Sequence, residues 1–154
     1  MQTPWTRRIV AAAAVAIVFG GAWDVARVRG ATQADAKART VWDGVYNQAQ
    51  AARGKERYVK ECSSCHLADL SGSDQAPPLS GEPFIIQWEN RTAGDLFTSL
   101  RTTMPQGTPG QLTSQAYVEI VAYLLQANAF PAGSEELTRD ADLLKTIQIV
   151  RGKP

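Results

Sequence analysis

The chain has 154 residues, 44% of them hydrophobic, a length and composition that predict one packed domain. Its 16 Lys and Arg against 15 Asp and Glu leave a formal charge of +1, so nothing in the charge balance argues for nucleic-acid binding. From Lys37 onward 12 Lys and Arg face 13 Asp and Glu, so any charged docking surface must be a local patch.

Residues 1–22 read as a secretory targeting segment. Arg7 and Arg8 form a positive start, residues 9–19 are apolar, and Gly20, Gly21 and Ala22 supply small residues for cleavage. The apolar run ends at Trp23, short of the roughly 20 residues a membrane span needs. Export with cleavage is expected, an uncleaved anchor being the alternative. Residues 23–46 carry no sustained apolar period and are expected to form a linker and N-terminal extension. From Asn47 the pattern turns helical. Ala51, Gly54, Tyr58 and Cys62 share one face, while Arg53, Glu56, Arg57 and Lys60 point away. Glycine inside a helix costs about 1 kcal/mol against alanine, and close approach by a second helix is the physical reason expected for Gly54.

Both cysteines and the single histidine of the chain fall within five positions, Cys62-Ser63-Ser64-Cys65-His66. This C-x-x-C-H spacing is that of covalent c-type haem attachment. Thiols three positions apart can each add to one vinyl group along the same porphyrin edge, and the adjacent His66 is placed to supply the proximal imidazole nitrogen to iron. A thioredoxin-like pair would need a preceding strand in a βαβ pattern, and a structural zinc site about four ligands. A plain disulfide leaves His66 without a role. One covalently attached haem c is the expected cofactor. No second histidine exists for the other axial position. Met104, in Thr102-Thr103-Met104-Pro105, has polar neighbours that do not suit a core methionine and is the candidate sixth ligand. A His/Met pair raises the reduction potential relative to nitrogen-only ligation. The expected metal ligands are therefore His66 and Met104.

Residues 68–81, with Ser71-Gly72-Ser73-Asp74 and Pro77-Pro78, read as loop. Pro83 suits the first turn of a short helix running to Trp88. Thr92 and Asp95 make a capping box for a second helix with Leu96, Phe97 and Leu100 on its buried face. Pro105 ends that helix and presents Met104 from a loop. Residues 106–110 are turn chemistry, and Thr113 caps the longest helix, residues 114–128. There Gln115, Glu119 and Gln126 form a polar stripe and the rest is apolar. Residues 131–154 show one weak helical turn near 140–145 and are expected to pack on the domain or to contact a partner.

Residues 41–125 resemble a class I monohaem cytochrome c. The resemblance rests on Gly54 and Tyr58 before the motif, Cys62, Cys65 and His66, Pro77-Pro78-Leu79, Met104-Pro105, and Ala122-Tyr123-Leu124 in the final helix. The flanks, residues 41–46 and the tail from Phe130, are similar to a proteobacterial periplasmic subgroup whose members often serve dehydrogenases. The resemblance implies an all-α fold of about four short helices around one covalently bound haem, spanning residues 47–130. It implies that the last helix packs on Gly54 and that the Pro77 carbonyl accepts the Nδ1 hydrogen of His66. It also implies that Trp88 and Arg91 hydrogen-bond the haem propionates. Maturation outside the cytoplasm implies a periplasmic protein, anchored to the inner membrane if the N-terminal segment stays uncleaved.

With its only histidine committed to iron, the chain lacks a His-based acid–base catalyst and is expected to be an electron-transfer protein, not an enzyme. The expected role is an exported carrier of single electrons from a periplasmic dehydrogenase to a downstream cytochrome or terminal oxidase. Its partners would be redox proteins, not nucleic acid, with membrane contact only through an uncleaved N-terminus. A membrane-tethered haem subunit of a larger redox complex is the alternative.

Overall fold

A computed structural model of the chain describes residues 39–154. The targeting segment expected at residues 1–22, and residues 23–38 of the expected linker, lie outside the described residues. In chain order the elements are strand β1 (Arg39–Thr40), helices α1 (Gln48–Glu61), α2 (Ser63–His66), α3 (Glu82–Trp88), α4 (Ala93–Thr103), α5 (Ser114–Ala127) and α6 (Ala141–Leu144), and strand β2 (Ile147–Gln148). The all-α expectation holds, with α1, α3, α4 and α5 carrying the fold and α2 and α6 as single turns. No helix among the described residues is long and apolar enough to cross a membrane.

The helices start where side chains can satisfy the free N–H groups of a first turn. Asn47 Oδ1 accepts from Gln50 N at 2.8 Å, and Thr113 Oγ1 from Ala116 N at 3.1 Å. Thr92 and Asp95 form the expected reciprocal box, Asp95 N donating to Thr92 Oγ1 at 3.0 Å and Thr92 N to Asp95 Oδ2 at 2.8 Å. Helix α4 stops at Thr103 because Pro105 disfavours helical geometry at Met104.

Helices α1 and α5 form the central pair. A Cβ on Gly54 would lie 1.8 Å from the Glu119 carbonyl oxygen and 3.0 Å from Tyr123 Cβ, so only glycine permits this approach. The Tyr58 and Tyr123 rings, 5.3 Å apart, close the contact one turn further on. Helix α5 is buried along its whole middle, from Ala116 to Leu125. Glu119 therefore corrects the polar-stripe expectation: it is 2% exposed. Arg53 and Arg57, expected to point away from the packed face, reach back to it. Arg53 Nε donates to Glu119 Oε1 at 2.8 Å, Gln115 Nε2 donates to the same oxygen at 3.0 Å, and Arg57 Nε donates to Oε2.

The boundaries expected at residues 47 and 130 need correction at both ends. Val41, Val45 and Tyr46, placed in the linker by the sequence pattern, are buried in the core. Strand β1 pairs in parallel with β2, Arg39 opposite Ile147 and Thr40 opposite Gln148. Trp42 Nε1 donates to the Val150 carbonyl at 3.0 Å and its ring packs edge-on against Phe130. Tyr46 Oη donates to the Phe130 carbonyl at 2.6 Å. Gln50 and Leu137 exchange two hydrogen bonds, Nε2 to O at 2.9 Å and N to Oε1 at 2.7 Å. Leu137, Leu144, Ile147 and Ile149 complete the same core. Residues 131–154 thus reach the domain core through Leu137, Leu144, Ile147 and Ile149. The linker reading failed because these partners stand 84 to 108 positions apart, where no local period can reveal them.

Candidate haem site

Where α1 ends, Cys62 N donates to the Tyr58 carbonyl at 2.9 Å, and α2 adds one turn in which His66 N donates to the Cys62 carbonyl at 3.0 Å. That turn sets Cys62, Cys65 and His66 in the wall of one cavity of about 400 Å³. No disulfide joins Cys62 to Cys65. Burial pushes the Cys62 thiol up to about 11, with the charges of Glu61 and Cys65 adding to the effect.

After His66 the chain turns sharply at Leu67, which has a φ of 61°. The Tyr58 hydroxyl holds this turn by donating to the Leu67 carbonyl at 2.7 Å. The loop then doubles back at Gly72, where φ is +73° and a Cβ would lie 2.5 Å from the Ala76 carbonyl oxygen. So tight a loop delivers the Pro77 carbonyl to His66 Nδ1 at 2.9 Å, as the resemblance implied. A carbonyl can only accept, so Nδ1 carries the proton and Nε2 is left with its lone pair for a metal. His66 is buried.

Met104, the C-cap residue of α4, lines the same cavity. Its N–H donates to the Leu100 carbonyl at 2.9 Å, and its own carbonyl accepts from the Tyr117 hydroxyl at 2.7 Å. Leu79, Leu100, Leu112, Ile120 and Leu124 make the wall largely apolar, with Glu61 its one carboxylate and no Lys or Arg among the lining residues. Trp88 also lines the cavity and is buried.

The cavity thus gathers Cys62, Cys65, His66, Pro77, Trp88 and Met104, but not Arg91. The exposed Arg91 lies with its guanidinium 4.6 Å over the Trp88 ring, a cation–π contact. Its backbone is committed elsewhere, since Ile149 N donates to the Arg91 carbonyl at 2.7 Å and Asn90 N to the Ile149 carbonyl at 2.9 Å. The sequence reading missed the two tyrosine hydroxyls, Tyr58 and Tyr117, that hold the backbone at the two proposed ligands. Their positions in apolar helix faces signal only burial.

Two thiols, an imidazole with a free Nε2, a thioether and an apolar wall fit a covalently held haem, and the volume falls in the usual range of cofactor sites, about 300–1,000 Å³. Among the described residues no cluster of three or more His, Cys, Asp or Glu could hold a bare metal ion. Residues 49–124 match the family model described as cytochrome C oxidase, cbb3-type, subunit III. Residues 49–124 form a c-type cytochrome domain. As such the cytochrome binds haem c covalently, and its domain is an electron-transfer module. No curated protein matches it. Among solved structures the cytochrome is similar to a chain of the sulfane dehydrogenase SoxCD from Paracoccus pantotrophus, at 19% identity and a TM-score of 0.47. That likeness covers 73% of the cytochrome and 60% of the other chain, so the cytochrome spans less than two thirds of it.

Proposed function

We propose that this cytochrome is an exported monohaem carrier, taking single electrons from a periplasmic dehydrogenase and passing them to a downstream cytochrome or terminal oxidase. The observation that supports it is that His66 and Met104 stand in the wall of one cavity. The haem, when bound, supplies a one-electron ferric/ferrous couple. Cys62 and Cys65 would tether it, and His66 Nε2 and Met104 Sδ would be the two protein ligands to its iron, a donor set suited to electron transfer. Leu100, Leu112, Ile120 and Leu124 exclude water and keep the local dielectric low, which together with the thioether favours the reduced state. His66 Nδ1 is held by Pro77 and is not free to shuttle protons, which supports a carrier over a catalyst.

The test is Met104→Ala in the ferric holo-protein. The weak long-wavelength sulfur-to-iron absorption should vanish, added imidazole should bind, and the reduction potential should fall. Rapid cyanide binding by the wild type, unchanged in Met104→Ala, would replace the carrier with a ligand-binding or catalytic haem. The description of the matching family as an oxidase subunit favours a second reading, a membrane-tethered haem subunit of a larger complex. Cell fractionation separates the two. The carrier is released with the periplasmic fluid, whereas the tethered subunit stays with the membranes until detergent is added.

A further inference from the structure

We propose that Tyr117 is a positioning residue for the sixth ligand, its hydroxyl bond to the Met104 carbonyl holding the thioether segment against displacement. The inference rests on Met104 as the distal ligand. The two axial sides are secured unequally. His66 directly follows two cysteines that become covalent anchors, and its Nδ1 is tied to Pro77 at 2.9 Å. Met104 has no covalent anchor. It stands between the exposed Thr102 and Thr103 and the exposed turn of residues 106–111, next to a proline without an N–H. Among the described residues, the 2.7 Å bond from Tyr117 is the one hydrogen bond that joins residues 104–111 to a different helix. The anchor itself is rigid. Tyr117 is 1% exposed and lies on α5, whose backbone packs against Gly54 of α1.

A thioether is a neutral ligand, and its advantage over a dissolved competitor depends on being held in place beforehand. Removing the Tyr117 hydroxyl removes the hydrogen bond by which α5 holds the Met104 carbonyl. A larger share of molecules then has the sulfur away from iron, and a competing ligand gains apparent affinity in proportion to that share.

The experiment compares Tyr117→Phe, Tyr46→Phe and Met104→Ala as ferric holo-proteins, titrated with imidazole and followed through the long-wavelength sulfur-to-iron absorption. Tyr46 is the control, because its buried hydroxyl also donates to a backbone carbonyl, that of Phe130 at 2.6 Å, and it does not line the cavity. Tyr117→Phe should bind imidazole about fivefold more tightly than wild type, equivalent to roughly 1 kcal/mol, with a weakened band. Tyr46→Phe should keep wild-type imidazole affinity even where its melting temperature falls. Wild-type affinity in both tyrosine variants overturns the proposal, and so does an equal rise in both, which would reflect general loosening. If Met104→Ala itself leaves the band and the imidazole affinity unchanged, the ligand assignment fails first, and Tyr117 has nothing to position.

Discussion

Burial alone would push the Glu119 carboxyl up, but hydrogen bonds from Arg53, Gln115 and Arg57 outweigh it and hold the group below the ordinary carboxylate range. A carboxylate with a depressed folded value stabilises the fold fully above its unfolded value, about 4.3, and loses that contribution as pH falls through the folded value. Glu119→Gln should therefore cost about 1–3 kcal/mol at pH 7, and its deficit against wild type should shrink in denaturant melts repeated below about pH 4. A deficit that stays constant with pH would mean that Glu119 is not held as an anion. None of this was legible in the sequence, where Glu119 sits at helical spacing from Gln115 and Gln126 and looks solvated. The haem residues were legible for the opposite reason. Cys62, Cys65 and His66 carry their chemistry in local spacing, which needs no knowledge of the fold.

The contact of α1 with α5 turns on one missing methyl group. In Gly54→Ala the added carbon would lie 1.8 Å from a backbone oxygen, which cannot rotate aside, so the helices must separate. The gain in helix propensity, about 1 kcal/mol, is offset by overpacking of about 1–3 kcal/mol or more. The separation also draws Tyr58 and Tyr123 apart. Lower thermal stability and a lower yield of haem-loaded protein are expected; an unchanged melting temperature would show that the helices can slide at little cost. This contact could be anticipated because a glycine in an otherwise good helix needs a cause. The helix starts were equally readable, since Asn47, Thr92 and Thr113 act on amides three residues away. Arg91 was not readable, because its direction depends on how β2 holds residues 90–92.

For the described residues as a whole, 39–48 and 125–154, outside the matched region 49–124, contribute to the same core. Leu144, in the single turn α6, is fully buried. Leu144→Ala should cost about 2–5 kcal/mol, as in any tight core, whereas a loosely attached tail would give less than about 0.5 kcal/mol. Chemical denaturation of the holo-protein distinguishes the two. The sequence showed only a weak turn here, since Leu137, Leu144, Ile147 and Ile149 are buried in a core built from residues far away along the chain.

The pairing of β1 with β2 also bears on the order of folding. Its ends meet across a separation that reaches 108 residues between Trp42 and Val150, and bringing such distant segments together costs more chain entropy than any turn of α1 or α2. A chain emerging N-terminus first presents Cys62 and Cys65 well before Ile147 exists. The clasp is thus the last seam to close, and the two thiols can be reached while the globule is still open.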